Sequence, residues 1–162
     1  MALSRTGVAV AAGAAIMLLL VSLGTLIWLN NQGPVLYRSD EKDPLSNTPK
    51  SVIFNPLRDR SAETAALVMI HAMRDGKCRE VLAVWEKDYR KKYAESICDS
   101  ETQHPLVAWK LVDWEDRPPL IILHYRGTRR NAPTEDTYYK EHLWVTVENR
   151  GGWQATKYDA MY

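Results

Sequence analysis

The sequence lacks every short motif that marks a catalytic, nucleotide-binding or metal-binding site. It has no G-x-S-x-G nucleophile elbow, no phosphate-binding loop, and neither a His-Glu-x-x-His nor a Cys-x-x-Cys pattern. Charge of one sign is also missing, because 21 basic residues are balanced by 20 acidic residues for a formal net charge of +1. Nothing in this composition indicates a nucleic-acid-binding surface. We therefore predict a non-enzymatic protein with no catalytic residues, no metal, no cofactor and no nucleic-acid partner.

Cysteine is equally scarce, and both cysteines, Cys78 and Cys98, lie in the C-terminal part of the chain. If that part lies outside the cytoplasm, an oxidising compartment favours a disulfide between them. The alternative is two buried free thiols. No histidine lies at ligand spacing from either cysteine, so the pair does not indicate a zinc site.

One long stretch contains no charged residue. Val8 to Leu29 reads VAVAAGAAIMLLLVSLGTLIWL, and at 1.5 Å per residue it makes a helix of about 33 Å, enough to cross a hydrocarbon core of about 30 Å. A cleaved signal peptide would have a shorter apolar region, of about 7–15 residues, followed by a cleavage site. The run instead continues past its only weak candidate, Ser22-Leu23-Gly24. We predict a retained transmembrane helix at residues 8–29.

Charge and residue size indicate how this helix is placed. Arg5 precedes it, so the positive-inside rule puts residues 1–7 in the cytoplasm and the rest of the chain outside, in the periplasm. Small residues recur at helical spacing in its first half, at Gly7, Ala11, Ala14 and Ala15. Such a face lets another helix approach closely, which predicts an integral membrane partner in addition to the lipid bilayer. The alternative is that small residues are simply common in membrane helices.

Beyond the helix, residues 30–55 are dense in Asn, Ser, Gly and Pro, and their prolines forbid a continuous helix. We predict an extended linker there and one domain at residues 56–162. In that domain an apolar stripe at three-four spacing predicts a helix from Ser61 that ends near Gly76. Two further helical segments follow, ending before His104.

The period of the pattern then changes to two. Four stretches rich in β-branched and aromatic residues follow, and they are Leu106–Glu115, Leu120–Arg126, Tyr138–Glu148 and Trp153–Tyr162. Turn-forming residues at 116–119 and 149–152 separate two pairs of them. Helices followed by consecutive strands predict an α+β fold, with helices packed on a curved antiparallel sheet of about four strands.

This order resembles the nuclear transport factor 2-like superfamily, which has a cone-shaped, cystatin-like α+β fold. The residues that carry the resemblance are the helix Ser61–Asp75, the break at Asp75-Gly76, and HLWVTVENRGGWQATKY from His142 to Tyr158. The chain departs from the usual pattern because all its helical segments precede the strands. The superfamily includes isomerases, dehydratases, transport adaptors and periplasmic domains of membrane complexes, so the resemblance does not decide function.

Enzymes of this fold class place an Asp or His general base inside the cone, with a Tyr or Asp donor opposite it. The candidates among residues of those types are His71, Asp113, His124, Tyr125, Tyr139 and His142. A dyad of His124 with Asp113 is conceivable only if the strand register brings them together. On the third strand, alternation points Leu143, Val145 and Val147 inward and His142 with Trp144 outward. We therefore expect no catalytic site.

Phenylalanine is the rarest aromatic, at one residue against six Trp and eight Tyr. Four of the tryptophans fall on predicted strands, at Trp109, Trp114, Trp144 and Trp153. Tryptophan is enriched at protein interfaces, although the core of a curved sheet uses it as well. The expected function is a non-catalytic accessory, assembly or structural subunit of a membrane protein complex. The alternative is a small-molecule-binding or lyase/isomerase-type domain that uses the interior of the cone.

Overall fold

The computed structural model describes residues 5–82, 85 and 87–161. Its helices and strands occur in the order α1 (Arg5–Asn30), β1 (Val35–Arg38), β2 (Val52–Phe54), α2 (Ser61–Arg74), α3 (Cys78–Leu82), α4 (Lys87–Gln103), β3 (Leu106–Arg117), β4 (Leu120–Arg130), β5 (Tyr138–Asn149) and β6 (Trp153–Met161). The predicted α+β class with a four-stranded antiparallel sheet is confirmed. The chain divides into two compact units. We call Met1–Tyr37 with Ile53–Arg58 the helical unit, and Arg38–Val52 with Asp59–Tyr162 the sheet unit.

The helical unit consists mainly of α1. The segment Ala12–Asn30 is long and apolar enough to span a membrane, and none of it is buried in the protein. A signal sequence near an N-terminus meets the same two conditions. The hydroxyls of Ser22 and Thr25 donate to the carbonyls of Leu18 and Val21 one turn earlier, at 2.7 and 2.8 Å, so the helix itself satisfies both.

The end of α1 is held by a buried asparagine. The side-chain amide of Asn55, which is 1% exposed, donates to the carbonyl of Leu29 at 2.7 Å. The last carbonyls of a helix have no partner within the helix, so a donor from elsewhere in the chain satisfies one of them. Asn55 thus closes the predicted transmembrane segment at its C-terminal end.

In the sheet unit the strands lie side by side in the order β3-β4-β5-β6, all antiparallel. The inner face of the sheet carries Leu123, Leu143, Val145 and Val147, each 0% exposed. The buried stripe of α2, which includes Ala66, Met69 and Ile70, packs on β4, β5 and β6. The helix stops where predicted, because Gly76 adopts the left-handed φ of +75° that favours glycine after a helix end.

The two cysteines form a disulfide. Cys78 begins α3 and Cys98 lies in α4, with their Cα atoms 5.5 Å apart. This separation is typical of a disulfide, and the predicted pairing is confirmed. Because α3 is short, the bond ties it covalently to the longest helix of the unit.

The structure differs from the extended linker predicted at residues 30–55. This stretch contains β1 and β2, which pair with each other, and residues 38–52 belong to the sheet unit. Within it, the Asp43 carboxylate accepts the backbone N–H groups of Leu45 and Ser46 and closes a turn. The prolines exclude a helix but not a hairpin, which is why composition alone suggested a tether.

We call residues 38–52 the covering hairpin, because they lie on the outer face of the sheet. Arg38 forms an ion pair with Asp113 at 2.9 Å and donates to the carbonyl of Trp114. Asp43 forms a second ion pair with Arg126 at 3.3 Å. The covered sheet therefore buries His142, which is 8% exposed, although it points outward from the strand as predicted.

Candidate functional site: a buried charged cluster beside a cavity

The inner face of the sheet holds a cluster of four polar residues from four elements. They are Glu101 of α4, Arg129 of β4, Glu141 of β5 and Tyr158 of β6, and each is at most 6% exposed. Charged side chains are rarely buried unless they are paired. In this cluster the pairing links α4 to three strands of the sheet.

All N–H donors of the Arg129 guanidinium are engaged. Nη1 donates to Glu101 at 2.9 Å and to the carbonyl of His104 at 2.6 Å. Nη2 donates to Glu101 at 2.6 Å and to the Tyr158 hydroxyl at 2.7 Å, and Nε donates to Glu141. A guanidinium has five such donors, so none remains for a bound anion.

The acceptors of the cluster are not all used. Glu101 accepts from Arg129 through both oxygens, and its Oε1 also accepts the Tyr158 hydroxyl at 3.1 Å. Glu141 accepts Arg129 through Oε1. Its Oε2 is buried and has no hydrogen-bond partner among the residues that the structure describes. Burial of a carboxylate oxygen without a hydrogen bond costs free energy. Within the described part of the chain, Glu141 Oε2 is the oxygen of the cluster that remains free to accept a hydrogen bond.

Gly127 provides the space for this arrangement. It lies directly opposite Glu141 in the register of β4 and β5. A Cβ atom at Gly127 would lie 2.9 Å from Leu106, 3.0 Å from Leu143 and 3.3 Å from Glu141. These are closer than ordinary van der Waals contacts, so a side chain there would displace Glu141 or the two leucines. The absence of a side chain at 127 lets the Glu141 stem pack on the strand.

A cavity of about 380 Å³ lies beside the cluster, between α4 and β6. Its wall includes Glu101 and Glu141 from the cluster, Tyr89, Tyr93 and Ile97 from α4, and Ala160 from β6. The rings of Tyr89 and Tyr93 are 4.6 Å apart, and the Tyr89 hydroxyl donates to the carbonyl of Tyr158 at 3.3 Å. The volume lies within the range of small-molecule sites in proteins.

Burial controls the protonation of the cluster. Removal from water raises the pKa of Glu141 to about 7, against the opposing effect of the Arg129 charge. Burial likewise raises the pKa of Tyr158 well above its usual value, with the Glu101 charge acting in the same direction. For Arg129, burial lowers the pKa, but the Glu101 hydrogen bonds and the neighbouring charges outweigh it and the pKa is raised. Glu141 therefore changes its protonation state near neutral pH.

The outer face carries a second buried polar group. His124 Nε2 and His142 Nδ1 are 2.9 Å apart, and the Trp144 ring stacks on His124 with its centroid at 4.7 Å. Burial, aided by the nearby His142, lowers the pKa of His124 to about 4. Asp113 lies opposite His124 in the strand register. Its carboxylate pairs with Arg38, however, and the His124 imidazole pairs with His142. The His124–Asp113 dyad that the sequence left open therefore does not form.

The four tryptophans singled out in the sequence occupy different environments. Trp114 is 4% exposed and belongs to the core, where its Nε1 donates to Asp116 at 2.9 Å. Trp109 is half-buried between His71 and Arg74 of α2, with centroid distances of 5.2 and 5.7 Å. Trp144 and Trp153 are also half-buried. Three of the four therefore remain as interface candidates.

The structure describes the side chains of only part of the predicted packing face of α1. Ala14 and Ala15 are exposed. The backbone of Gly7 and Ala11 belongs to the helix, but their surroundings lie outside what the structure describes. Among the described residues, no group of three or more His, Cys, Asp or Glu is arranged to hold a metal ion.

Sequence reasoning did not find the Arg129 cluster. The signal was present in strand alternation, because Glu141 shares its face with Leu143, Val145 and Val147. Arg129 shares the buried face of β4 with Leu123 and Tyr125. A charged residue at an inward position is the feature that would have indicated a buried ion pair.

These features define a sheet unit with helices on one face, a covering hairpin on the other and a cavity beside the buried charged cluster. No protein-family model matches the chain, and no curated protein matches its sequence. Its fold is similar to the solution structure of a SEC-C motif-containing protein from Rhodopseudomonas palustris, with a TM-score of 0.50 and 9% identity. The similarity covers 65% of this chain and 84% of that chain. At this identity it concerns the fold alone, and membership of the nuclear transport factor 2-like superfamily stays a prediction.

The two shifted pKa values predict opposing effects of pH on stability. His124 binds its proton less readily when folded, so its contribution to stability is present above pH 6.5 and is lost as the pH falls towards 4. Glu141 binds its proton more readily when folded, so its contribution is present below pH 4.5 and is lost as the pH rises through 7. Each amounts to at most about 3 kcal/mol. Between pH 4.5 and 6.5 these two contributions oppose each other in the native chain.

Two substitutions should separate these effects. In His124→Gln the free energy of unfolding should increase as the pH is lowered from 6.5 to 4.5, and in Glu141→Gln it should decrease. Urea unfolding of each variant at three pH values in this window measures the slopes. The two residues lie on opposite faces of the sheet, so their effects should add. Slopes of the same sign in both variants would contradict the assignment.

Proposed function

We propose that this chain is a membrane-anchored, non-catalytic accessory or assembly subunit of a larger membrane protein complex. One observation carries the proposal, namely that α1 has 26 residues and exposes its apolar side chains along the segment Ala12–Asn30. At 1.5 Å per residue the helix is about 39 Å long. A stretch of this length and composition is unfavourable in water and favourable in a bilayer.

The disulfide and Arg5 support a location of the sheet unit outside the cytoplasm. Disulfides persist in oxidising compartments, so the bond between Cys78 and Cys98 supports a position outside the cytoplasm. Arg5 before the apolar segment supports a cytoplasmic N-terminus. The sheet unit is then periplasmic, and residues 1–7 are cytoplasmic.

A binding role, rather than chemistry, is supported by how the polar groups of the sheet unit are used. The Arg129 donors are all engaged by the cluster and by the His104 carbonyl, and the two imidazoles of the outer face bond to each other. Half-buried Trp109, Trp144 and Trp153 leave aromatic surface for a partner, and such surface is typical of protein interfaces. The partner is an integral membrane protein that meets α1 within the bilayer.

Topology is tested by labelling single engineered cysteines in intact cells with a membrane-impermeant maleimide. Thr134→Cys lies in the exposed loop between β4 and β5 and should be labelled. Ser4→Cys, before the apolar segment, should be labelled only after the membrane is permeabilised. The reverse pattern would overturn the orientation, and release of a shortened soluble chain would show a cleaved signal sequence.

The accessory role is tested by purification from the native membrane in mild detergent. Ala11→Leu adds bulk to the small-residue face and should reduce the yield of co-purifying membrane proteins. Ala9→Leu is the matched control, because two residues along a helix turn by about 200° and place it on the other side. Equal yields for the two variants, or a native chain that purifies alone, would contradict the proposal.

A further inference from the structure

We propose that the cavity between α4 and β6 is a binding site for a small organic ligand with a primary ammonium group, which donates a hydrogen bond to Glu141. This goes beyond the anchored, protein-binding role. The unpartnered Glu141 Oε2 is part of a side chain that lines the cavity and is 1% exposed. The cavity holds about 380 Å³, which is enough for a small organic molecule.

The hydrogen-bond inventory decides which chemistry fits. Arg129 has no free donor, because Glu101, Glu141, Tyr158 and the His104 carbonyl accept all of them. The Tyr158 hydroxyl donates to Glu101 and is likewise engaged. The open group is the acceptor Glu141 Oε2, so the site is complementary to a donor and not to an anion.

The charge of the cluster favours a cationic donor over a neutral one. With Glu101 and Glu141 ionised, two negative charges face the single positive charge of Arg129, and an ammonium group would balance them. Lys157 at the cavity wall is not that cation, because its ammonium pairs with Asp159 at 2.6 Å. The Tyr89 ring in the wall adds a surface that attracts cations, whereas the Lys92 ammonium already lies over the Tyr93 ring, 5.0 Å from its centroid. A hydrogen bond between two charged groups is also stronger than one between neutral groups.

Protonation gives the site a distinctive signature. Burial raises the pKa of Glu141 to about 7, so an ammonium ligand must displace a proton from it below that pH. The titratable and charged groups that face Glu141 are Glu101 from α4, Arg129 from β4 and Tyr158 from β6. Affinity for an ammonium ligand should therefore rise about fivefold between pH 6 and pH 7.

Calorimetric titration of the full chain in detergent with n-butylammonium chloride tests the site. Glu141→Gln keeps the size of the side chain and an acceptor for Arg129, and it should weaken binding at least tenfold. Ala160→Trp fills the cavity from an exposed position on β6 and should weaken binding as well, without replacing any residue of the cluster. Glu148 lies on β5, the strand of Glu141, but outside the cavity. Glu148→Gln is therefore the matched control for Glu141→Gln and should bind n-butylammonium like the native chain.

Two further probes complete the test, one uncharged and one negatively charged. n-Butanol and sodium butyrate should not bind, because neither presents an ammonium donor. Saturable binding of n-butylammonium that is lost in both cavity variants and strengthens with pH would support the proposal. No binding to the native chain, undiminished binding in Ala160→Trp, or equal binding of n-butanol would overturn it.

Discussion

Replacement of Arg129 by methionine is expected to lower the free energy of unfolding by about 3–5 kcal/mol. Methionine matches the length of the side chain but removes the positive charge from a site that is 2% exposed. Glu101 and Glu141 would then lose their hydrogen bonds to the guanidinium and be left buried without a counter-charge. Urea unfolding of the full chain in detergent, followed by tryptophan fluorescence, measures the loss.

The matched control is Arg117→Met at the end of β3. Arg117 also pairs with a carboxylate, Glu115 at 2.7 Å, but its side chain is 61% exposed. Exposed ion pairs contribute about 0–1 kcal/mol, so this variant should unfold almost like the native chain. If the two variants lose similar amounts of unfolding free energy, burial does not determine how much the Arg129 cluster contributes to stability. Adding Glu141→Gln to Arg129→Met should restore part of the stability, because one uncompensated charge is removed.

Loss of the disulfide is expected to reduce the stability of the sheet unit by about 3 kcal/mol. The bond closes a loop with a sequence separation of 20 residues, and the chain-entropy relation gives that value for such a loop. Replacing both Cys78 and Cys98 by alanine removes the bond without leaving an unpaired thiol. Thermal unfolding of the variant and of the native chain, compared at equal pH, measures the change.

Reduction provides the control for the same prediction. Dithiothreitol should destabilise the native chain by a similar amount and leave the double alanine variant unchanged. If dithiothreitol does not alter the native chain, or if the double variant is as stable as the native one, the disulfide contributes nothing to folding. Because the bond ties α3 to α4, amide hydrogen exchange should quicken first in these two helices.

Local pattern predicted most of the secondary structure correctly. The apolar stripe from Ser61 and the stop at Gly76 correspond to α2 and its end. The change to a period of two predicted all four strands of the sheet and both tight turns between them. These features depend on residues that are close in sequence, and for that reason a single sequence reveals them.

The Arg129 cluster escaped prediction because a strand was assigned too short. Polar residues at 127–137 suggested a loop, whereas β4 continues to Arg130. Charge normally indicates a solvent-exposed position, so Arg129 was not placed on the buried face. Its burial depends on Glu101, 28 residues earlier, and on Glu141, 12 residues later. Neither separation can be inferred from the helical or strand periodicity of a short stretch of sequence.

The covering hairpin is a second case in which distant contacts override local composition. Its prolines and polar residues are typical of a flexible linker. In the structure, Arg38 pairs with Asp113 and Asp43 pairs with Arg126, over separations of more than 70 residues. The same contacts explain why His142 is buried on a face that alternation alone assigned to solvent.

The sequence by itself determined the apolar helix, the α+β order of the elements, the turns and the one partner available to each cysteine within the chain. Each of these depends on short-range periodicity, on residue type or on there being only two thiols. Tertiary structure alone decided which charged residues are buried, which face of the sheet the hairpin covers, and that Glu141 Oε2 lies unpaired beside a cavity. The physical reason is that burial of a charge is tolerated only where distant segments supply its partners. Those partners are brought together by strand register and helix packing, which no local pattern encodes.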